Sequence, residues 1–312
     1  MFRGQLPMRE CRPRDYPATT PRLPAVDKHH GDFPVNTNFS GKISNLPGVR
    51  QNSSWKVQPI MAAAKVALIT ASSAGLGAQI ARVLAPDFRV VINYSSNSER
   101  AQSLIKELTS IPGSSSQASP RFHLIQADMS SKPSVQSLVK ETIEKMGRLD
   151  VVVSNAGWTR MTTFTDIEQQ VNDDDWDKCF TMNVKSHLWL AYAAKDALAA
   201  NEGCFISTAS IAGVKPSGSS VPYAVTKAAQ IHLIKSLAII LAPSVRVNSI
   251  SPGMLLTEWG LKFPEAKRNA SINNTKLKRL ATVEDCADQV RTLIMSGSMT
   301  GQNICIDSGF SV

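Results

Sequence analysis

Tyr223 and Lys227 stand four residues apart in Tyr223-Ala224-Val225-Thr226-Lys227. On a helix that spacing puts both side chains on one face. A free tyrosine gives up its proton near pH ~10, too high for ready exchange at neutral pH. An adjacent ammonium favours the phenolate and lowers that value. A tyrosine tuned in this way can give a proton to a carbonyl oxygen as a hydride reaches the carbon, and can take one from an alcohol in reverse. Alone, such a pair is more often a solvated surface pair, so its placement has to decide. Ser210 lies thirteen residues earlier, ending an apolar run in Ser207-Thr208-Ala209-Ser210. A hydroxyl there can hydrogen-bond a developing oxyanion. Ser207 and Thr208 are near, but strand parity and spacing favour Ser210.

Other chemistries lack their residues. The histidines are His29, His30, His123, His187 and His232. None has metal-ligand spacing, and no metal is expected. A Gly-x-Ser-x-Gly elbow does not occur, which argues against a serine hydrolase. The five cysteines, Cys11, Cys179, Cys204, Cys286 and Cys305, show no metal or redox spacing. Cys204 and Cys305 fall in apolar runs and read as small hydrophobes of a chain kept reduced.

The elements that must position these residues alternate. Apolar runs at 65–71, 89–94, 122–128, 149–154, 203–210, 245–250 and 302–307 read as strands. Helical spacing fills 75–84, 98–108, 133–146, 174–200, 221–241 and the stretch after the capping box Thr282-Val283-Glu284-Asp285. Asp173-Asp174-Asp175 suits a helix start. Such alternation predicts an α/β fold: one doubly wound, Rossmann-type domain with a parallel seven-stranded sheet flanked by helices. Ligands are expected at the carboxyl ends of its strands. The first strand runs into Thr70-Ala71-Ser72-Ser73-Ala74-Gly75-Leu76-Gly77. Glycines there let the backbone approach a pyrophosphate, and the next helix N-terminus favours its charge. A tight strand-to-helix turn without a ligand would look similar.

From about residue 63 to 312 the chain resembles the short-chain dehydrogenase/reductase family. That family's turn is Thr-Gly-x-x-x-Gly-x-Gly; Thr70, Gly75 and Gly77 match, with Ala71 in place of the first glycine. Ser72 and Leu76 complete the turn. Asp128 matches the aspartate beside the adenine ring; its alternative is a helix cap, which Ser130 or Ser131 could supply instead. Ser154-Asn155-Ala156-Gly157 matches Asn-Asn-Ala-Gly with Ser154 for the first Asn. The resemblance implies that Asn155 lies along the cofactor and braces the central strands. It implies that the backbone near Leu255 and the Thr257 hydroxyl, in Pro252-Gly253-Met254-Leu255-Leu256-Thr257, hold the nicotinamide carboxamide. It makes Tyr223 the general acid/base, Lys227 its partner and a ribose ligand, and Ser210 the substrate-orienting hydroxyl. It makes Asn183 the anchor of a water joining Lys227 to solvent; the alternative is a polar residue on a helix packed against the sheet. It further implies a homodimer or homotetramer built on two long helices and the last strand.

Cofactor choice is read at the end of the second strand. An acid there would accept from a free ribose 2′-hydroxyl and repel a 2′-phosphate. The sequence has Asn93-Tyr94-Ser95-Ser96-Asn97-Ser98, with nothing acidic before Glu99. Asn93, Ser95 and Ser96 are expected to donate to a phosphate, so NADP(H) is expected over NAD(H). Arg100 reads as already on the following helix.

The formal net charge is +9, of which +5 sits in residues 1–60. A charge so dilute elsewhere argues against nucleic acid. The apolar stretch 231–242, broken by Lys235, is too short for a membrane span. Residues 1–60 hold eight of the 17 prolines and no period. They read as a disordered extension or an over-long start ahead of Met61. Glu10, Asp15, Asp27 and Asp32 argue against a mitochondrial presequence, leaving a cytoplasmic location expected. Residues 61–312 form the dinucleotide-binding catalytic domain. Substrate contacts are expected from 211–220 and 258–279. Trp158, Met161 and Trp259 suit a substrate pocket, although Trp158 would serve equally in the core, and Trp259, Leu261 and Phe263 suggest an apolar or aromatic substrate. The expected activity is NADPH-dependent carbonyl reduction on a small to medium organic substrate. An NAD-dependent alcohol dehydrogenase, or a non-catalytic cofactor-binding regulator on the same fold, are the alternatives.

Overall fold

The computed structural model describes residues 64–112 and 120–312. The expectations for residues 1–60 and Met61 lie outside the described residues.

Seven strands form one sheet: β1 (Val66–Ile69), β2 (Arg89–Tyr94), β3 (Phe122–Gln126), β4 (Val151–Ser154), β5 (Cys204–Thr208), β6 (Arg246–Pro252) and β7 (Asn303–Ile306). Their order is β3-β2-β1-β4-β5-β6-β7, and every pairing is parallel. The helices are α1 (Gly75–Leu84), α2 (Ser98–Thr109), α3 (Lys132–Met146), α4 (Asp173–Phe180), α5 (Ser186–Ala199), α6 (Val221–Leu241), α7 (Glu258–Leu261), α8 (Glu265–Asn274) and α9 (Val283–Met295). The doubly wound α/β architecture expected from the alternation is the one present. Several strands are shorter than their apolar runs by a residue or two, because the run continues into the turn that carries the site.

The apolar strands follow from double burial. In β1, Ala67 and Ile69 face a core shared with α1, α2 and α9. Val66 and Leu68 face the opposite core with α3, α5 and α6. A strand covered on both sides gains from apolar residues at every position. The chain winds outward from β1 through β2 to β3, then crosses back to β4 on the other side of β1. The turns leaving β1 and β4 therefore diverge and open a crevice.

Two helices depart from simple expectation. The stretch predicted as one helix over 174–200 is α4, a π turn at Thr181–Lys185, then α5. Asn172 caps it by accepting from the Asp175 N–H, and Asp173, Asp174 and Asp175 fill the first turn. The capping box at Thr282 and Asp285 is formed as expected at the start of α9. Helix α6 has 21 residues and a mean hydropathy of 1.4 in its most apolar stretch, which matches a membrane span in length and composition. Its buried residues Ile234, Leu237 and Ala238 pack in the core beside the sheet.

Candidate functional site

The carboxyl ends of β1, β4, β5 and β6 surround a cavity of about 620 Å³. Gly75, Leu76, Asn155, Ser210, Tyr223, Lys227, Leu255 and Thr257 all line it. These eight expected residues come from five separate segments, brought together by the sheet order.

The floor on the β1 side is stitched to β4. Thr70 Oγ1 accepts from the N–H groups of Asn155 (2.9 Å) and Ala156 (3.1 Å). Asn155 Nδ2 returns the contact, donating to the carbonyls of Thr70 (3.2 Å) and Ala71 (3.3 Å). Ala71 takes φ +49 and Gly75 φ +54, so the turn reverses twice through left-handed backbone. A Cβ on Gly77 would come within 2.8 Å of both the Ala71 carbonyl oxygen and Asn155 Nδ2, so only glycine lets α1 start this close to the turn. The N-cap of α1 is Ala74, which has no side-chain acceptor to offer the first N–H groups. An uncapped helix start whose Gly75 and Leu76 border a cavity fits a phosphate-bearing ligand.

Tyr223 is placed by a helix cap. Ser220 Oγ accepts from the Tyr223 N–H (3.3 Å), and Pro222 occupies the first turn of α6. Lys227 follows one turn later. Its Nζ donates to the Thr208 carbonyl (2.9 Å) and to Gln230 Oε1 (2.8 Å), and lies 5.6 Å from the centroid of the Tyr223 ring. Ser210 follows β5 and accepts from the Ala212 N–H (3.2 Å). The next residues press on α6: a Cβ at Gly213 would sit 2.5 Å from the Lys227 backbone. Ser210 and Tyr223 both border the cavity, and the Ser210 hydroxyl pulls the Tyr223 value down.

The electrostatics of the protein differ from the simple pair. Burial raises the Tyr223 value above that of an ordinary tyrosine, and the Ser210 hydrogen bond only partly opposes it. Burial lowers Lys227 to about 7. Each charged form is disfavoured where few water molecules reach it. The lysine is therefore poised near neutrality, and the tyrosine is held as an acid.

Asn183 lies on the π turn and is fully buried. Its Oδ1 accepts from the Trp158 N–H (2.8 Å), and its Nδ2 donates to the Trp158 carbonyl (2.9 Å) and Thr226 Oγ1 (3.0 Å). The side chain clamps the strand exit after β4. A Cβ on Gly157 would meet Asn183 Oδ1 at 3.1 Å and Lys227 Nζ at 3.5 Å, so Gly157 keeps the space between them open.

Other expected residues stand behind or outside the cavity wall. Asn93 is buried, with Oδ1 accepting from the Ala71 N–H (3.0 Å). Its Nδ2 faces the carbonyls of Tyr94, Ile125 and Ala127. All its polar atoms tie β2 to the turn and to β3, which leaves none for a phosphate. Ser72 is likewise buried, its hydroxyl donating to the Ile69 carbonyl (2.7 Å) and accepting from the Asn93 N–H (3.1 Å). Ser95 and Ser96 are exposed beyond the cavity lining. Asp128 is exposed, and its carboxylate accepts from the N–H and hydroxyl of Ser130; Ser131 caps α3. Trp158, Met161, Trp259 and Phe263 line the cavity, whereas Leu261 is 57% exposed and does not.

One charged residue that the sequence did not place at the site also borders the cavity. Arg100 lines it from the first turn of α2 and pairs with Glu258 at 2.9 Å. The signal was present: Asn97 caps α2 by accepting from the Arg100 N–H (2.8 Å), and a first-turn side chain sits beside the strand end it follows. Lys267 of α8, within the expected stretch 258–279, lines the cavity too, donating to the Gly218 carbonyl (2.8 Å).

A parallel sheet in this order, a glycine turn ahead of α1 and a Tyr-Lys pair at the sheet's carboxyl edge define a nucleotide-dependent oxidoreductase scaffold. The family model for short chain dehydrogenases matches residues 65–268. The chain belongs to the short-chain dehydrogenase/reductase family, whose members bind a nicotinamide cofactor. A ketoacyl reductase ascribed to the granaticin polyketide synthase of Streptomyces violaceoruber is 33% identical over 250 residues, covering 79% of this chain and 96% of that one. A 3-oxoacyl-[acyl-carrier-protein] reductase of Thermotoga maritima is 28% identical over 256 residues, covering 80% and 98%. Among solved structures, a Burkholderia cenocepacia short chain dehydrogenase in complex with NADP superposes with a TM-score of 0.71 at 29% identity, covering 80% of this chain and 99% of that one. The 3-ketoacyl-(acyl-carrier-protein) reductase of Brucella melitensis, complexed with NADH, gives 0.69 at 25% identity, covering 80% and 99%.

Proposed function

We propose that this oxidoreductase reduces a ketone or aldehyde with NADPH, using Tyr223 as the proton donor. The observation that carries the reading is the convergence of Tyr223, Lys227 and Ser210 on the cavity that the glycine turn also borders. Gly75, Leu76 and Asn155 would hold the cofactor along the turn, and Leu255 and Thr257 its carboxamide. When bound, the cofactor supplies the hydride. Ser210 orients the substrate oxygen and donates to it as charge develops. Tyr223, kept protonated by burial, delivers its proton to that oxygen. Lys227 places positive charge beside the phenol, so the phenolate left behind is stabilised. Trp158, Met161, Trp259 and Phe263 give the substrate an apolar seat from which water is displaced.

Preference for NADPH is supported by the absence of an acid at the end of β2 and by Arg100 in the cavity wall. The ketoacyl reductases among the relatives make a 3-oxo ester the natural first substrate to try. Assembly as a homodimer or homotetramer is part of the same reading.

Tyr223→Phe keeps the ring and removes the proton. It is expected to cut the rate of NADPH-dependent reduction by roughly 10²–10⁴ while leaving NADPH binding within about twofold. Cofactor absorbance with a panel of ketones, and NADPH fluorescence, measure the two. Unchanged turnover in the variant would remove Tyr223 from its role.

A further inference from the structure

Behind Lys227 runs a chain of buried polar side chains that proton transfer at Tyr223 does not by itself require. Gln230, three residues beyond Lys227 on α6, is fully buried. Its Nε2 donates to Ser207 Oγ (2.7 Å) and the Thr208 carbonyl (3.1 Å), and its Oε1 accepts from Lys227 Nζ (2.8 Å). The two ends of the amide cannot be exchanged. A carbonyl only accepts, so the NH₂ end must face Thr208 and the oxygen is left for the ammonium. His187, fully buried on α5, holds the far side. Its Nδ1 lies 2.6 Å from Ser154 Oγ, 3.1 Å from Ser207 Oγ and 3.4 Å from Gln230 Nε2. Facing an amide NH₂ and two hydroxyls, Nδ1 is the acceptor, which fits a ring whose value burial pushes down to about 3. The atoms that face one another in this network hold each other in place, because turning one strands the others; the second ring nitrogen of His187, Nε2, is buried without a hydrogen-bond partner among the described residues.

We propose that Gln230 is a positioning residue: its amide oxygen, oriented by Thr208, Ser207 and His187, holds Lys227 as an ammonium aimed past Tyr223 into the cofactor side of the cavity. Thr208 and Gln230 take two of the three ammonium protons, leaving one for the incoming ligand. The inference rests on the reading of Tyr223 as proton donor for its kinetic consequence, though not for its effect on Lys227.

Burial lowers Lys227 to about 7, against an opposing pull from Cys179. An acceptor on the charged form favours that form, so its removal lowers the value further. The groups facing Lys227 are Tyr223 and Gln230 on α6, Cys179 from α4, His187 from α5 and Thr208 from β5. Burial pushes Cys179 up to about 11 and His187 down to about 3, so neither changes charge between pH 5 and 9. Tyr223 titrates above its ordinary value. A pH limb near neutrality therefore reports Lys227. Carbonyl reduction needs the phenol protonated and the ammonium charged, so the rate falls as pH rises through that limb.

The test compares the parent with Gln230→Met, Gln230→Asn and Ser154→Ala. Reduction of ethyl 3-oxobutanoate by NADPH is followed from pH 5 to 9, and NADPH binding is measured by fluorescence over the same range. In Gln230→Met the limb should move down by about one pH unit, a tenfold loss of ammonium at a given pH. Gln230→Asn, whose amide is one methylene short, should move it less; this variant carries the test if the methionine form does not fold. Ser154→Ala breaks only the far end at His187 and should lower Tm with the limb in place. Coincident limbs in the parent and both Gln230 variants would overturn the proposal, as would a Ser154→Ala limb displaced as far as that of Gln230→Met. A parent that binds NADPH but reduces no carbonyl would sink the proton-donor reading instead. The binding arm then still decides on Gln230. A midpoint of NADPH affinity that moves in Gln230→Met supports it, and one that stays overturns it, since the cofactor's own phosphate titration is common to both proteins.

Discussion

Ala71 holds a backbone that glycine would take with less strain. Its φ of +49 brings the Cβ against the following carbonyl, a cost of roughly 1–2 kcal/mol for a residue with a side chain. The surrounding bonds enforce it: Asn93 holds the Ala71 N–H and Asn155 its carbonyl. Ala71→Gly should therefore stabilise the protein. The gain should be about 0.5–1 kcal/mol once the extra freedom of glycine in the unfolded chain is counted. Thermal unfolding would show it as a rise in Tm of a few degrees; a fall would mean that the methyl group packs against something worth more than the strain. The same turn shows which residues sequence could place. Tyr223, Lys227 and Ser210 were legible because helix periodicity and a strand end fix their directions. Asn93 was not. A polar residue closing a strand can face a ligand or be drawn into the sheet, and only the carbonyls of Ile125 and Ala127 on the neighbouring strand side decide it.

At the scale of elements, the connection from β2 to α2 decides which side chains border the cavity through where its helix begins. Starting α2 at Ser98 with Asn97 as cap turns Arg100 back toward the cavity, where Glu258 from α7 meets it. Sequence placed Arg100 on the helix correctly and drew too little from it, because the facing acid is 158 residues away. The π turn was illegible for a related reason. An extra residue in a helix leaves no mark on apolar periodicity until the clamp of Asn183 on Trp158 is seen. If Arg100 meets a 2′-phosphate, Arg100→Ala should weaken NADPH binding roughly 10–100-fold, the worth of a charge-assisted contact, and leave NADH within about twofold. Fluorescence titration with both cofactors measures this. Equal losses for the two would place Arg100 on a part of the cofactor that they share.

The molecule as a whole carries more apolar surface on two helices than a single copy needs. Leu188 and Tyr192, one turn apart on α5, are 42% and 60% exposed, and Val225, Ile239 and Ile240 of α6 are exposed as well. The inner faces of the same helices close the core that holds Ile234 and Leu190. Apolar side chains left exposed on the outer faces of both helices suit pairing with a second copy, the assembly proposed above. This bears on the site, because α6 carries Tyr223 and Lys227, and α5 carries His187 behind them. Covering the outer face would stiffen the helices on which the proton donor stands. Leu188→Glu combined with Tyr192→Glu places charge on that face without touching the inner one. Light scattering should give a dimer or tetramer for the parent and a shift to monomer in the double variant. The variant should also lose reductase activity several-fold, since its helices are less firmly held. A monomeric parent would show that these residues face solvent in the working protein. A variant that becomes monomeric with full activity would show that α6 needs no support from outside the chain.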